Sequence, residues 1–234
     1  MSNTLIHFKD LRFAWSDNAA PLIECSEFAL SRGEHVFIKG PSGSGKSTLL
    51  NLVAAVLTPQ AGELLLLNHN TREISPARRD RLRADHVGYV FQQFNLVPYL
   101  SLLENVLLPC RFSERRAMLA GDDFGTADKA ALHLLEHLFA DDDLDLDTPV
   151  SKLSVGQQQR VAAARALIGK PDVLIADEPT SSLDADTRER FMQLLFEQAG
   201  AAHSTLLFVS HDPVLSRRFS RVIDMADFKS GKAA

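Results

Sequence analysis

The residues from 40 to 48 read Gly40-Pro41-Ser42-Gly43-Ser44-Gly45-Lys46-Ser47-Thr48. Closely spaced glycines let a backbone fold tightly, so that successive N–H groups turn inward and cradle anionic oxygens. A lysine directly after the last glycine can reach the β- and γ-phosphates of a nucleotide, and the following serine hydroxyl can ligate Mg²⁺. An apolar stretch precedes the motif and a helix-like stretch follows it, which is the context that separates a phosphate loop from an ordinary glycine turn. The expected ligands are therefore a nucleotide and Mg²⁺. A second chemical pair ends the apolar run Val173-Leu174-Ile175-Ala176, where Asp177 and Glu178 are adjacent carboxylates. Asp177 is placed to position Mg²⁺, and Glu178, one residue on, to orient or deprotonate an attacking water. The bland alternative is that these acids cap the next helix; residues 179–183 intervene and weaken it.

The elements that must hold these groups follow from hydrophobic periodicity. Strands are expected at 5–13, 27–30, 35–39, 63–67, 86–91, 173–176, 205–209 and 221–225. Helices are expected at 46–57, 76–83, 154–168, 185–199 and 213–219, with a mostly helical block from 93 to 149. Within that block, Ala131, Leu134, Leu135 and Leu138 share one face of a helix over 127–139. Strands alternating with helices imply a parallel sheet covered by helices, an α/β fold. Residues 141–147 hold five aspartates and read as a solvated loop, since EF-hand spacing is absent. Residues 229–234 read as a frayed tail.

Composition narrows the function classes. The chain has 234 residues, 45% hydrophobic and 24% charged, which is enough for a substantial core. Net charge is −5 and no Lys/Arg block stands out, so no nucleic-acid partner is expected. No apolar run reaches membrane-spanning length and no export signal is evident, so a membrane role requires a partner. Cys25 and Cys110 lack metal-ligand spacing and read as reduced thiols.

Leu153-Ser154-Val155-Gly156-Gln157, continuing Gln158-Gln159-Arg160-Val161-Ala162-Ala163-Ala164-Arg165, opens a helix with an S-x-x-Q capping box. It also resembles the signature of ABC transporter ATP-binding subunits, usually LSGGQ before a basic, alanine-rich helix. The resemblance runs from about residue 6 to 225 and implies a P-loop ABC ATPase. Such a fold has a RecA-like parallel-sheet core, an antiparallel β subdomain and an inserted helical subdomain. Residues 1–92 and 154–228 would form the core with its β subdomain, and about 93–153 the helical part.

The same resemblance assigns further residues. Ser154, Gly156 and Gln157 would contact the γ-phosphate of ATP held by a second copy, making a nucleotide-sandwich homodimer. Val155 departs from the usual glycine and puts the strength of dimer closure in question. Trp15 resembles the aromatic that stacks on adenine, with a half-buried core tryptophan as the alternative. Gln92 resembles the Q-loop glutamine that senses Mg²⁺ and connects to the membrane subunit, and His211 the switch histidine at the γ-phosphate. Asp184 resembles the D-loop aspartate at the dimer interface, or is only a helix N-cap.

The text Phe91-Gln92-Gln93-Phe94-Asn95-Leu96-Val97-Pro98, with Glu104-Asn105-Val106 and Pro109, is similar to the lipoprotein-release and macrolide-export (LolD/MacB-like) branch. That implies a separate FtsX/MacB-like permease and a peripheral place on the cytoplasmic face of the membrane. Amino-acid import ATPases share part of this text, and an ATP-driven regulator acting through a permease without cargo has the same residues. A DNA-repair ABC ATPase would carry a long heptad insertion, and a translation-factor ABC protein two cassettes.

Overall fold

The structure, a computed structural model, describes residues 3–16, 18–139, 145–181 and 183–231. Contacts divide the chain into two compact units, Met1–Arg83 with Thr205–Ala234, and Ala84–Ser204.

In the first unit, β1 (Thr4–Phe13) pairs antiparallel with β2 (Ile23–Ser31) and, on its other side, with β4 (Ala61–Leu66). A short β5 (His69–Asn70), not anticipated in the sequence, completes this sheet beside β4. Ile6 and Phe8 are fully buried, two apart on one face as the period of a strand requires. Phe8 packs on Phe28 at 5.1 Å between ring centroids, and Phe28 on Phe228 at 5.4 Å. β3 (Val36–Lys39) lies between β8 (Thr205–Ser210) and β9 (Arg221–Asp224), parallel to both. Every residue of β8 is buried. Such continuous burial is expected of strands in a parallel sheet.

Three sequence expectations need correction in this unit. The helix after the phosphate loop, α1, spans Lys46–Val53 and stops short of residue 57. Ala55 turns left-handed (φ 54°), and Val56 and Leu57 donate back to the Asn51 carbonyl, which closes the helix early. The expected helix at 213–219 is only a 3₁₀ turn, Leu215–Arg218. Phe219 leaves it in extended backbone and seats its ring 5.3 Å from Phe37 and 5.4 Å from Phe208, so core packing ends the turn. The tail is tied as far as Gly231, whose N–H donates to Glu24 at 3.0 Å. Residues 232–234 lie outside the described residues, as do residues 141–144 of the aspartate run.

α2 (Pro76–His86) carries the chain into the second unit, where β6 (Val87–Val90) and β7 (Val173–Asp177) pair in parallel. The helical block resolves into α3 (Leu102–Phe112), α4 (Glu114–Phe124) and α5 (Ala127–Leu138). They join α6 (Val155–Leu167) and α7 (Ala185–Ala201). One apolar core runs through Leu102, Val106, Ala131, Leu135, Leu138, Val161 and Ile168. Gly88 lets β6 and α6 touch, because a Cβ there would lie 2.2 Å from the Ala166 carbonyl oxygen. Arg116 of α4 is buried and donates to the Ala166 carbonyl (2.6 Å) and the Ile168 carbonyl (2.8 Å), satisfying the carboxyl end of α6. Burial pushes its pKa down to about 10.

Candidate functional site

β3 delivers the chain directly into the phosphate loop. Gly43 (φ 74°) and Gly45 (φ 99°) sit in the left-handed region, where a side chain would be strained, and Gly45 is the N-cap of α1. Lys46 is only 5% exposed. Its ammonium donates to the carbonyls of Gly40 and Pro41, both at 2.9 Å, bridging the loop from within. The Ser44 hydroxyl oxygen is buried without a hydrogen-bond partner among the described residues. An orphaned hydroxyl beside a buried ammonium, at a helix start with no acidic residue in its first turn, fits a bound phosphate. Pro41, Ser42 and Ser47 are exposed at the loop surface, while Thr48 is buried.

Lys39 is in register with Ser210, so Gly40 and His211 leave neighbouring strands at the same edge of the sheet. His211 is exposed there. Trp15, just past β1, is 66% exposed and meets Phe13 edge-on at 5.4 Å, so it is not a half-buried core residue. The first unit thus brings together the phosphate loop and His211 at one edge.

The second unit gathers the carboxylates. Val90 is in register with Ala176, so Asp177 ends one strand and Gln92 lies just past the carboxyl end of its parallel neighbour. Gln92 is exposed and Asp177 buried. The Tyr89 hydroxyl is hydrogen-bonded to Asp177; burial above all, and then that carboxylate, holds the tyrosine pKa well above its ordinary value. The Tyr89 ring stacks on Phe91 at 4.0 Å. Glu178 adopts a left-handed backbone (φ 44°), which a glutamate seldom does without being held there.

At the start of α6 the capping box forms as the sequence anticipates. The Gln157 N–H donates to Ser154 Oγ at 3.3 Å, and the Ser154 N–H to Gln157 Oε1 at 2.9 Å. Ser154 and Val155 are exposed, and a Cβ on Gly156 would touch nothing closer than Thr187 Cγ2 at 4.0 Å. Asp184 caps α7, accepting from the Thr187 N–H (2.9 Å) and Thr187 Oγ1 (2.8 Å). Those two bonds hold its pKa below the ordinary value.

Three supporting residues escaped sequence reasoning. Tyr89 steadies Asp177, and Gln159 donates to the Pro179 carbonyl at 2.5 Å. Arg165 donates to the Asn95 carbonyl (2.7 Å) and the Phe94 carbonyl (2.5 Å), holding a left-handed pair just after Gln92. Burial pushes the Arg165 pKa down to about 10. The only sequence signal for these was the apolar strand around Tyr89 and the polar positions of an otherwise alanine-rich helix.

Among the described residues no cluster of three or more His, Cys, Asp or Glu could hold a metal.

Residues 23–181 match the family described as ABC transporter. The chain is 42% identical to the ATP-binding protein MJ0796 of Methanocaldococcus jannaschii, over 85% of this chain and 82% of that one. It is 36% identical to the lipoprotein-releasing system ATP-binding protein LolD of Xanthomonas axonopodis pv. citri, over 88% and 80%. Its fold matches a dimeric, post-hydrolysis structure of the MJ0796 cassette bound to ADP and Pi. The TM-score is 0.80 at 35% identity, covering 97% of this chain and 96% of that one.

Proposed function

We propose that this chain, which belongs to the ABC transporter family and is an ATP-binding, ATP-hydrolysing subunit, works as one half of a head-to-tail homodimer closing on two ATP molecules. The observation that carries this reading is the assembled phosphate loop, with left-handed Gly43 and Gly45, buried Lys46 and the unpartnered Ser44 hydroxyl. In it the backbone N–H groups of residues 42–48 cradle the phosphates, and Lys46 exchanges the Gly40 and Pro41 carbonyls for phosphate oxygens. Trp15 stacks on the adenine through its exposed face. Ser47, Gln92 and Asp177 are the residues that would hold Mg²⁺, and the ion would neutralise phosphate charge. Glu178 orients and deprotonates the attacking water, and His211 contacts the γ-phosphate.

The second copy supplies Ser154, Gly156 and Gln157 from the start of its α6, where a capped helix presents N–H groups to an anion. Asp184 lies at the same interface. A two-fold pair makes this exchange reciprocal. Closure and hydrolysis drive a separate FtsX/MacB-like permease, in export or lipoprotein handling, with this chain peripheral on the cytoplasmic face. The named LolD relative and the branch-like text of residues 91–109 support that assignment.

Glu178→Gln tests it, since the amide keeps the side chain's size but can take no proton. ATP binding persists, single-turnover hydrolysis falls by about 10²–10⁴, and light scattering with ATP shows the mass doubling. A variant that hydrolyses at the parental rate removes Glu178 from its role, and one that stays monomeric at saturating ATP contradicts the sandwich.

A further inference from the structure

We infer that Gln159 is a positioning residue for hydrolysis, whose side-chain amide holds the turn carrying Glu178 in its working geometry. This rests on the reading of Glu178 as the group that activates water. Gln159 lies on the second turn of α6 and is 1% exposed. Its Nε2 donates to the carbonyl of Pro179, the residue after Glu178, at 2.5 Å. Pro179 is itself buried, and a proline has no N–H, so that carbonyl is its one backbone polar group.

The turn is held from its other side by its own backbone. The Ser181 N–H donates to the Glu178 carbonyl at 3.2 Å, and the Leu183 N–H to the Thr180 carbonyl at 3.2 Å. Upstream, β7 is buried throughout and leaves the chain little freedom to shift. Between these fixed points Glu178 sits at φ 44°, a conformation that relaxes once the surroundings stop enforcing it. Gln159 reaches this turn from α6.

The same helix is capped by Ser154, and through Arg165 it also grips the Phe94 and Asn95 carbonyls just past Gln92. One rigid element is thus tied to the signature turn and to the strand ends that carry Gln92 and Glu178. An anion engaged at the start of α6 is thereby coupled to the geometry of this chain's own glutamate. The coupling needs no change in the phosphate loop, so it acts on the rate of hydrolysis and leaves ATP affinity alone.

Two variants separate positioning from simple stability. Gln159→Met keeps length and loses the amide; Gln159→Glu keeps shape and donates only when protonated. Each is assayed, beside the parent and Glu178→Gln, for ATP affinity and single-turnover hydrolysis from about pH 6 to about pH 8.5. Gln159→Met is expected to hydrolyse about 10–100-fold more slowly, the scale of a small misplacement of a reacting group, with ATP affinity unchanged. Gln159→Glu, taken as a ratio to the parent, is slow at the alkaline end and recovers toward the acid end, because burial at this 1% exposed position raises the carboxyl's pKa toward the assayed range and lets it donate to Pro179. A parental rate in Gln159→Met, a parallel loss of rate and affinity, a ratio for Gln159→Glu that ignores pH, or failure of both variants to fold would each overturn the proposal. Failure of the underlying reading shows separately, as parental hydrolysis by Glu178→Gln.

Discussion

A buried ammonium is costly unless its protons are engaged, and Lys46 meets that demand with two loop carbonyls. Those acceptors hold the ammonium within the loop, so little side-chain freedom is left to lose on binding phosphate. Lys46→Ala is therefore expected to weaken Mg-ATP binding by about 10-fold or more, the equivalent of one charge-assisted hydrogen bond. A nucleotide titration checks this, and unchanged affinity would remove Lys46 from the site. At this scale, much was legible in the sequence because the chemistry is local. The phosphate loop is consecutive, and the capping box joins residues three apart. The three glutamines from 157 to 159 show where local reading stops. Gln157 caps the helix, Gln158 donates to the Leu153 carbonyl at 2.9 Å, and Gln159 reaches Pro179. Their types are identical; only the angle around α6 and the packing of residue 179 distinguish them.

Among the elements, α3 shows how a polar residue can fix a loop. Asn105 is fully buried; its Oδ1 accepts from the Val97 N–H, and its amide donates to the carbonyls of Val97, Leu100 and Ser101. The turn from 97 to 101 is thereby wound onto the start of α3, which Ser101 and Glu104 close with a second capping box. Asn105→Ala strips these partners from four backbone groups, of which the Ser101 carbonyl makes a fully buried bond and the others half-buried ones. We expect a loss of about 1–3 kcal/mol in unfolding free energy, the range for a buried polar group left unsatisfied. Chemical denaturation reads this directly, and a change within experimental scatter would show that the loop repairs its own bonds. The Glu104-Asn105-Val106 text resembled a branch marker in the sequence, and the physical reason for its asparagine emerges only with the fold. Strand and helix positions were mostly legible from period alone. The misjudged stretches were short ones, such as 213–219, where the demand of Phe219 for the core outweighed helix propensity.

At the scale of the whole molecule, the chemistry-bearing residues fall into two groups that fold with different units. The phosphate loop, Trp15 and His211 belong to the first, and Gln92, Asp177, Glu178 and the signature turn to the second. The proposal that the signature serves a neighbouring copy comes from family resemblance, because a capping box alone has no reason to imply a second chain. Complementation between variants tests this most directly. Lys46→Ala spoils the loop that a chain offers its own nucleotide, and Ser154→Arg spoils the signature that it offers its partner. In a mixed pair both defects fall on one site and the other site is intact. Each variant alone is predicted to be inactive in single-turnover hydrolysis. An equimolar mixture should recover about a quarter of the parental activity, because half of the pairs are mixed and each of those has one intact site. A mixture as inactive as its components would contradict the head-to-tail sandwich.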